Sequence, residues 1–435
     1  MRACPLQVSK PEGDLILLAT TKLRVWLKNL FPGWWVLGAA VAVQILPAAF
    51  LMHAYSAYAV VMQPEFGWST AIFATAFSAQ QAASGLLGPF QGWLLQRFGP
   101  QRIIRVGLVV FAIGLVMLSQ VHGLALFFAA VLIAAFGASL GGFLSTNTTT
   151  VNWFIRHRSM ALALIQVGIS AGGLIAPVIA WSLTMYGWRF TAMASAVLVL
   201  AIGLPLTRII RNRPEDIGLT PDGDKVGDQQ ILNEKPQAEF GAREALRTRA
   251  FWFISLGHAL ALTVVSAVLA HLVLYLTQEK GFSLALSASM VAVMTASSLV
   301  GQLSGGLLGY RVEKRLIAIA AMFGHSGALC MLVFGGSLPW VIAFAILHGL
   351  SWGLRAPIMQ ALRADYFGRH SFGQVLGLAS PLITSGMVAG PLIVGLLADK
   401  SGSFQPGFLV VASLAALGSI FFIFTHPPKK RSSVS

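Results

Sequence analysis

Of the 435 residues, 56% are hydrophobic and only 10% charged, with 44 glycines and a mean hydropathy of +0.75. A soluble globular domain carries roughly 25% charged residues, so the outer surface of this chain is expected to face lipid, and a soluble enzyme is excluded. Disorder, a collagen repeat, a disulfide framework and nucleic-acid binding are excluded with it: apolar residues dominate, no Gly-X-Y period exists, Cys4 and Cys330 do not read as a bridge, and the net charge of +15 sorts along the chain as membrane topology.

The first 33 residues are a polar tail without the short apolar core and small-residue cleavage site of a signal peptide. A spanning helix needs about 20 mostly apolar residues. Twelve segments qualify, at 34–61, 69–95, 102–120, 124–150, 159–186, 189–209, 250–276, 283–309, 315–334, 338–362, 371–398 and 404–425. The least marked junction lies between the third and fourth, where only Gln120, His122 and Gly123 interrupt the pattern. The long polar stretch 210–249 divides the spans six and six. The predicted organisation is therefore a tail over 1–33, a six-helix bundle over 34–210, a central loop over 211–249, a second bundle over 250–426 and a tail over 427–435.

Basic residues are retained on the cytoplasmic side of a membrane. With both termini inside, 26 of the 30 Lys and Arg fall inside and only Arg189, Lys280 and Lys400 outside, which predicts a multi-pass protein of the cell membrane, the bacterial inner membrane by this reading, with cytoplasmic ends. A reporter fused after Ser435 should then stay in the cytoplasm. The halves also echo each other: Gly92-Trp-Leu-Leu-Gln-Arg97-Phe-Gly99-Pro-Gln-Arg102 matches Gly306-Leu-Leu-Gly-Tyr-Arg311-Val-Glu-Lys-Arg315, and Phe154-Ile-Arg156-His157 matches Phe367-Gly-Arg369-His370. Two six-span copies in one orientation are the sign of a parallel repeat, which in a transporter places the substrate between the halves.

These loops, the twelve spans and the central linker resemble the major facilitator superfamily over essentially the whole chain. Within it, the segments NRPEDIGLTPDG and LRAPIMQALRADYFGRHSFG are similar to bacterial relatives of monocarboxylate transporters and oxalate/formate antiporters. The resemblance implies two six-helix bundles related by a pseudo-twofold, secondary transport by alternating access, no cofactor and no metal, and function as a monomer. It also implies gating roles for Gly92, Arg97, Gly99, Arg102, Arg311 and Arg315. Two residues depart from the family pattern: Gln96 and Tyr310 stand where an Asp is usual, so the charge network that latches the outward-open state is weaker or built from other groups.

One ionisable residue lies well inside a span. Arg355 sits about 7 residues from the end of span ten, roughly 10 Å deep. No Asp or Glu lies inside any span, Asp365 and Asp399 standing just beyond span ends. An unpaired Arg suits an anionic substrate gripped in bidentate fashion; the alternative is a side chain that snorkels or bonds the carbonyls freed by Pro357. Family members typically carry such a cation in span eight, eleven or one, so here it is relocated. His348 lies two turns before Arg355 in a stripe with Trp352 and Met359, and a histidine there can carry a coupled proton or be structural. His53, His258 and His271 are comparable, His271 with Tyr275 one turn on. Gln44, Tyr55 and Tyr58 fall within about 60° on a helical wheel of span one, where a Tyr hydroxyl can meet a carboxylate. Span four ends in a polar run, 145–150, whose hydroxyls can bond their own helix while Asn147 and Asn152 need partners elsewhere. Glycines at 85, 88 and 92, at 168 and 172, at 301, 305 and 309, and at 386, 390 and 395 mark spans two, five, eight and eleven as those expected to slide, with Pro177 and Pro391 as bends.

The leading expectation is a secondary transporter of a small organic anion, a monocarboxylate by this reading, by proton symport or anion exchange, with Arg355, His348, Tyr55, Asn147 and His271 as substrate-site candidates and lipid as its surroundings. The alternatives are an exporter of hydrophobic compounds and a non-transporting sensor. A membrane enzyme lacks its signature, since no His-rich cluster, nucleophile elbow or P-loop is present.

Overall fold

The computed structural model describes residues 31–223, 242–309, 311–367 and 372–428. Within them the chain is helical and contains no strand. Ten uninterrupted stretches are long and apolar enough to cross a membrane. One of them, the 50-residue Met160–Ile209, is divided at Gly187, whose φ of 78° breaks the helix, and so holds two spans. The pair Thr70–Leu86 and Gly88–Phe98 supplies the twelfth.

In order, the spans are α1 (Pro32–Phe66), α2 (the pair just given), α3 (Pro100–Ser119), α4 (Leu124–Trp153), α5 (158–186), α6 (188–209), α7 (Arg249–Gln278), α8 (Leu284–Leu308), α9 (Lys314–Phe334), α10 (Leu338–Phe367), α11 (Phe372–Ser401) and α12 (Gln405–Ile423). The faint third junction is real, with α3 ending at Ser119 and α4 beginning at Leu124. The expected ends need correcting mainly where a helix outruns its apolar core: α10 continues to Phe367 and α11 to Ser401, so Arg363, Asp365 and Asp399 are helical rather than loop residues. Tyr310, Arg369, His370 and Cys4 lie outside the described residues.

Packing repeats between the halves. α1 packs on α5 as α7 does on α11, α3 on α6 as α9 does on α12, and across the halves α2 meets α11 as α5 meets α8. In lipid no hydrophobic force drives helices together, so close backbone approach has to supply the contact. At the crossing of α3 and α4, a Cβ on Gly107, Gly114 or Gly137 would collide with the facing backbone. Large apolar side chains such as Val178 (60% exposed), Leu303 (65%) and Phe334 (75%) point outward, as a lipid-facing surface requires. α7 is the opposite case, with 89% of its most apolar window buried.

The glycine stripes correct one expectation. Gly168 and Gly172 meet Val41, Gln44 and Ala48 of α1, Gly386 and Gly390 meet Ala259 and Thr263 of α7, and Gly301 and Gly305 meet α10. All of these contacts lie within one half. The glycines that do face the other half are Gly85 against Thr384, Gly395 against Ala74, and Gly173 against Thr295.

Candidate functional site

The site is organised by α10. On one side of this helix Gly349 and Gly353 let the backbone of α8 approach so closely that a Cβ would strike the carbonyls of Met294 and Ser298. The basic stripe lies about 100° round the helix from these glycines. His348, Trp352, Arg355, Met359 and Arg363 fall within about 80° at 3.6 residues per turn, and all five are buried, Arg355 and Arg363 at 1% exposure each. Trp352 reaches across to the His53 ring of α1, with centroids 6.3 Å apart, so the stripe touches the other half of the molecule.

Two histidine contacts flank the stripe. His348 Nδ1 lies 3.2 Å from Nδ1 of His325 on α9, and Arg363 Nη2 donates to Nδ1 of His258 on α7 at 2.7 Å. In the first pair one nitrogen must donate and the other accept, so at most one of the two Nδ1 atoms carries the proton. Arg355 Nε and Nη1, Arg363 Nη1, and Nε2 of both His325 and His348 are buried without a protein partner. Neither arginine forms an ion pair among the described residues. Two arginines and three histidines thus lie in the interior, the arginines with unused N–H groups and no carboxylate paired to them among the described residues. Leaving buried charge unpaired is expensive, and the group that would relieve it is an anion.

The other candidates stand elsewhere. The Tyr55 hydroxyl donates to the Phe73 carbonyl at 2.6 Å and its ring packs on Phe77. Asn147 is half-buried on α4. His271 Nε2 lies 3.0 Å from the Pro391 carbonyl, with its ring against Phe404. His53 Nε2 lies 3.2 Å from the Ile169 carbonyl. The hydroxyls of Ser145, Thr146, Thr148, Thr149 and Thr150 all donate to carbonyls of α4 itself, and Asn152 donates to the Asn212 carbonyl at 3.0 Å. Gln44 and Tyr55 do not share a face as the wheel suggested, because α1 contains a π-helical segment over Ala48–His53 that changes the angular step. Gln44 accordingly meets Thr146 on α4, whereas Tyr55 meets α2.

Among the residues expected to gate, Arg97 at the end of α2 lies over the Trp93 and Phe98 rings, Arg102 in the first turn of α3 and Arg311 are exposed, and Gln96 is exposed as well. Gly92 has open space where a Cβ would stand. Gly99 has φ +77° and lies against Asn212, whose side chain accepts from Gln101 N at 2.9 Å. Arg315 donates to the Thr425 carbonyl at 2.7 Å and pairs with Glu313.

Two members of the cluster were missed. Arg363 was counted as a cytoplasmic loop residue, because span ten was closed where hydropathy fell; yet Ala361-Leu-Arg-Ala-Asp-Tyr-Phe367 contains no helix breaker, and that continuity was the available signal. His325 stands roughly opposite Phe323 on the wheel of α9, and the lipid-facing pair Leu316 and Phe323 marks the outer side.

The Major Facilitator Superfamily profile matches residues 40–325 and 289–435, together nearly the whole chain. The chain belongs to the major facilitator superfamily. Among its relatives, human monocarboxylate transporter 11 is 29% identical over 408 residues, covering 90% of this chain and 82% of that one. The hexuronate transporter of Escherichia coli K12 is 25% identical over 406 residues, covering 89% and 92%. Two crystal structures of a bacterial homologue of the human lysosomal transporter Spinster, both inward-facing, one unoccupied and one occupied, superpose with TM-scores of 0.66 and 0.68 at 15% and 14% identity. They cover 91% and 90% of this chain and 95% and 96% of theirs. This is a multi-pass membrane protein of a transporter family, and not an enzyme.

Proposed function

We propose that the protein is a secondary transporter of a small organic anion, moved by alternating access, with Arg355 as the primary anion grip. One observation carries the reading: a guanidinium that is 1% exposed, with Nε and Nη1 unused and no carboxylate paired to it among the described residues. Both nitrogens carry N–H groups that can donate to the oxygens of a carboxylate. Support comes from two relatives whose names denote carriers of organic acids, a monocarboxylate and a hexuronate. The His325–His348 pair, with His348 two turns along α10 from Arg355, offers titratable nitrogens in the same interior, which suits proton symport. The reading that makes the chain an exporter of hydrophobic compounds leaves the buried arginines without a counter-charge.

The test is a thermal-shift screen of the purified protein against lactate, pyruvate, oxalate, formate and larger carboxylates, with lipophilic cations as contrast. A carboxylate is expected to raise the melting temperature of the wild type and to lose that effect in Arg355→Gln. Stabilisation by lipophilic cations alone would refute the assignment.

A further inference from the structure

The interior holds a second basic pole that a one-carboxylate grip at Arg355 does not use. Arg363 follows Arg355 by eight residues, about 12 Å along the helix axis at 1.5 Å per residue, and lies on the same stripe. It is 1% exposed, its Nη2 is anchored on His258 Nδ1 at 2.7 Å, and its Nη1 has no partner among the described residues. The anchor matters: by accepting at Nδ1, His258 fixes the guanidinium plane and leaves the other terminal nitrogen free to donate. The two arginines stand about two turns apart on one stripe of α10, and His258 holds the second of them. Two buried like charges repel, and one small monoanion neutralises only half of the pair.

We propose that Arg363, oriented by His258, is a second anion subsite and that the substrate is a small dianion, with one acidic group on Arg355 and the other on Arg363. The proposal rests on the assignment of Arg355 as an anion grip and narrows the substrate class within it. Side chains of this length let the two guanidinium ends converge from a 12 Å separation of their backbone positions, which suits acidic groups a few carbon atoms apart. A hydroxyl or methyl at the far end of a monoacid would leave Arg363 Nη1 unmatched in the interior, so the site selects against such a ligand as well as for the dianion.

The experiment measures binding of length-matched probes to the full-length protein in detergent at pH 7: glutarate against pentanoate, and succinate against butyrate. The wild type is expected to bind each diacid at least about tenfold more tightly than its monoacid partner. Arg363→Gln should collapse that ratio to about one while monoacid binding survives, Arg363→Lys should leave an intermediate ratio, and Arg355→Gln should abolish binding of both classes. A wild-type ratio near one, or a ratio unchanged in Arg363→Gln and Arg363→Lys, overturns the second subsite and leaves the Arg355 reading standing. Undiminished binding in Arg355→Gln overturns both. Monodispersity on gel filtration separates a lost subsite from a lost fold, and if Arg363→Gln fails it, the wild-type ratio and Arg363→Lys decide.

Discussion

At the residue scale, the informative side chains are the ones a bilayer makes costly. Arg355 was legible in the sequence because an Arg deep in a span has no innocuous place to go, and its partner-free surroundings follow from the scarcity of acids in the spans. Which histidines pair near it was not legible, since His325–His348 and His258–Arg363 join different helices and depend on helix rotation. Tyr55 shows the converse, a polar residue whose partner, the Phe73 carbonyl, no one-dimensional pattern could name. Gly353 gives a prediction at this scale. Its replacement by Val would drive a side chain into the Ser298 carbonyl and push α10 off α8, rotating the stripe. Gly353→Val should lower the yield of monodisperse protein several-fold while Gly327→Ala, which meets open space, should not. Equal yields on gel filtration would contradict the packing described.

At the element scale, the segment after α6 works as a strap. Asn212 accepts from Gln101 N at 2.9 Å, its own carbonyl receives Asn152, and Trp153 Nε1 donates to the Arg211 carbonyl at 2.9 Å. Asp222 completes it by accepting from the backbone N–H groups of Ile155 and Arg156 at 2.7 Å each, and from His157 N at 3.3 Å. Burial works to raise the Asp222 pKa, but the N–H groups of Arg156, Ile155 and His157, with the His157 ring, outweigh it and hold the carboxyl below its usual value. A depressed folded-state pKa means that the clasp contributes fully above the unfolded value near 3.8 and is lost as pH falls through the lower, folded one. Stability from this group should therefore be flat through neutral pH. At pH 7, Asp222→Asn should speed amide exchange at 155–157 by roughly tenfold or more, since a hydrogen bond to a charged acceptor is worth about 1.5–3 kcal/mol. Unchanged exchange would remove the clasp from the account. The segment NRPEDIGLTPDG drew attention in the sequence as a family resemblance; its mechanical use, pinning the Gly99 turn and the start of α5, required the fold.

At the scale of the whole molecule, twelve spans and the internal repeat were legible because hydropathy, loop charge and paired motifs all pointed to one architecture. The glycine stripes mark spans that do meet across the halves, but small residues at helical spacing report close approach without saying to what: Gly85 and Gly395 face the other half, whereas Gly168, Gly172, Gly301, Gly305, Gly386 and Gly390 serve packing inside a half. Contacts between the halves run along α2 with α11 and α5 with α8, and include a polar set at the face opposite the strap. There Asp399 of α11 accepts from Thr70 N and Ala71 N at 2.9 Å each, capping the first turn of α2, and Gln278 of α7 donates to Gln63 of α1 at 2.9 Å. A carboxylate at a helix N-terminus is favourable both as a hydrogen-bond acceptor and toward the helix dipole. The basic stripe of α10 is set against α1 through Trp352 and His53, between the two halves.

The most direct test of the central claim is counterflow in proteoliposomes, with a radiolabelled carboxylate outside and the same unlabelled acid inside. Transient accumulation of label is expected for the wild type, a residual signal for Arg355→Lys, and none for Arg355→Gln despite equal reconstitution. Accumulation by Arg355→Gln at the wild-type rate would contradict the claim that this arginine grips the transported anion.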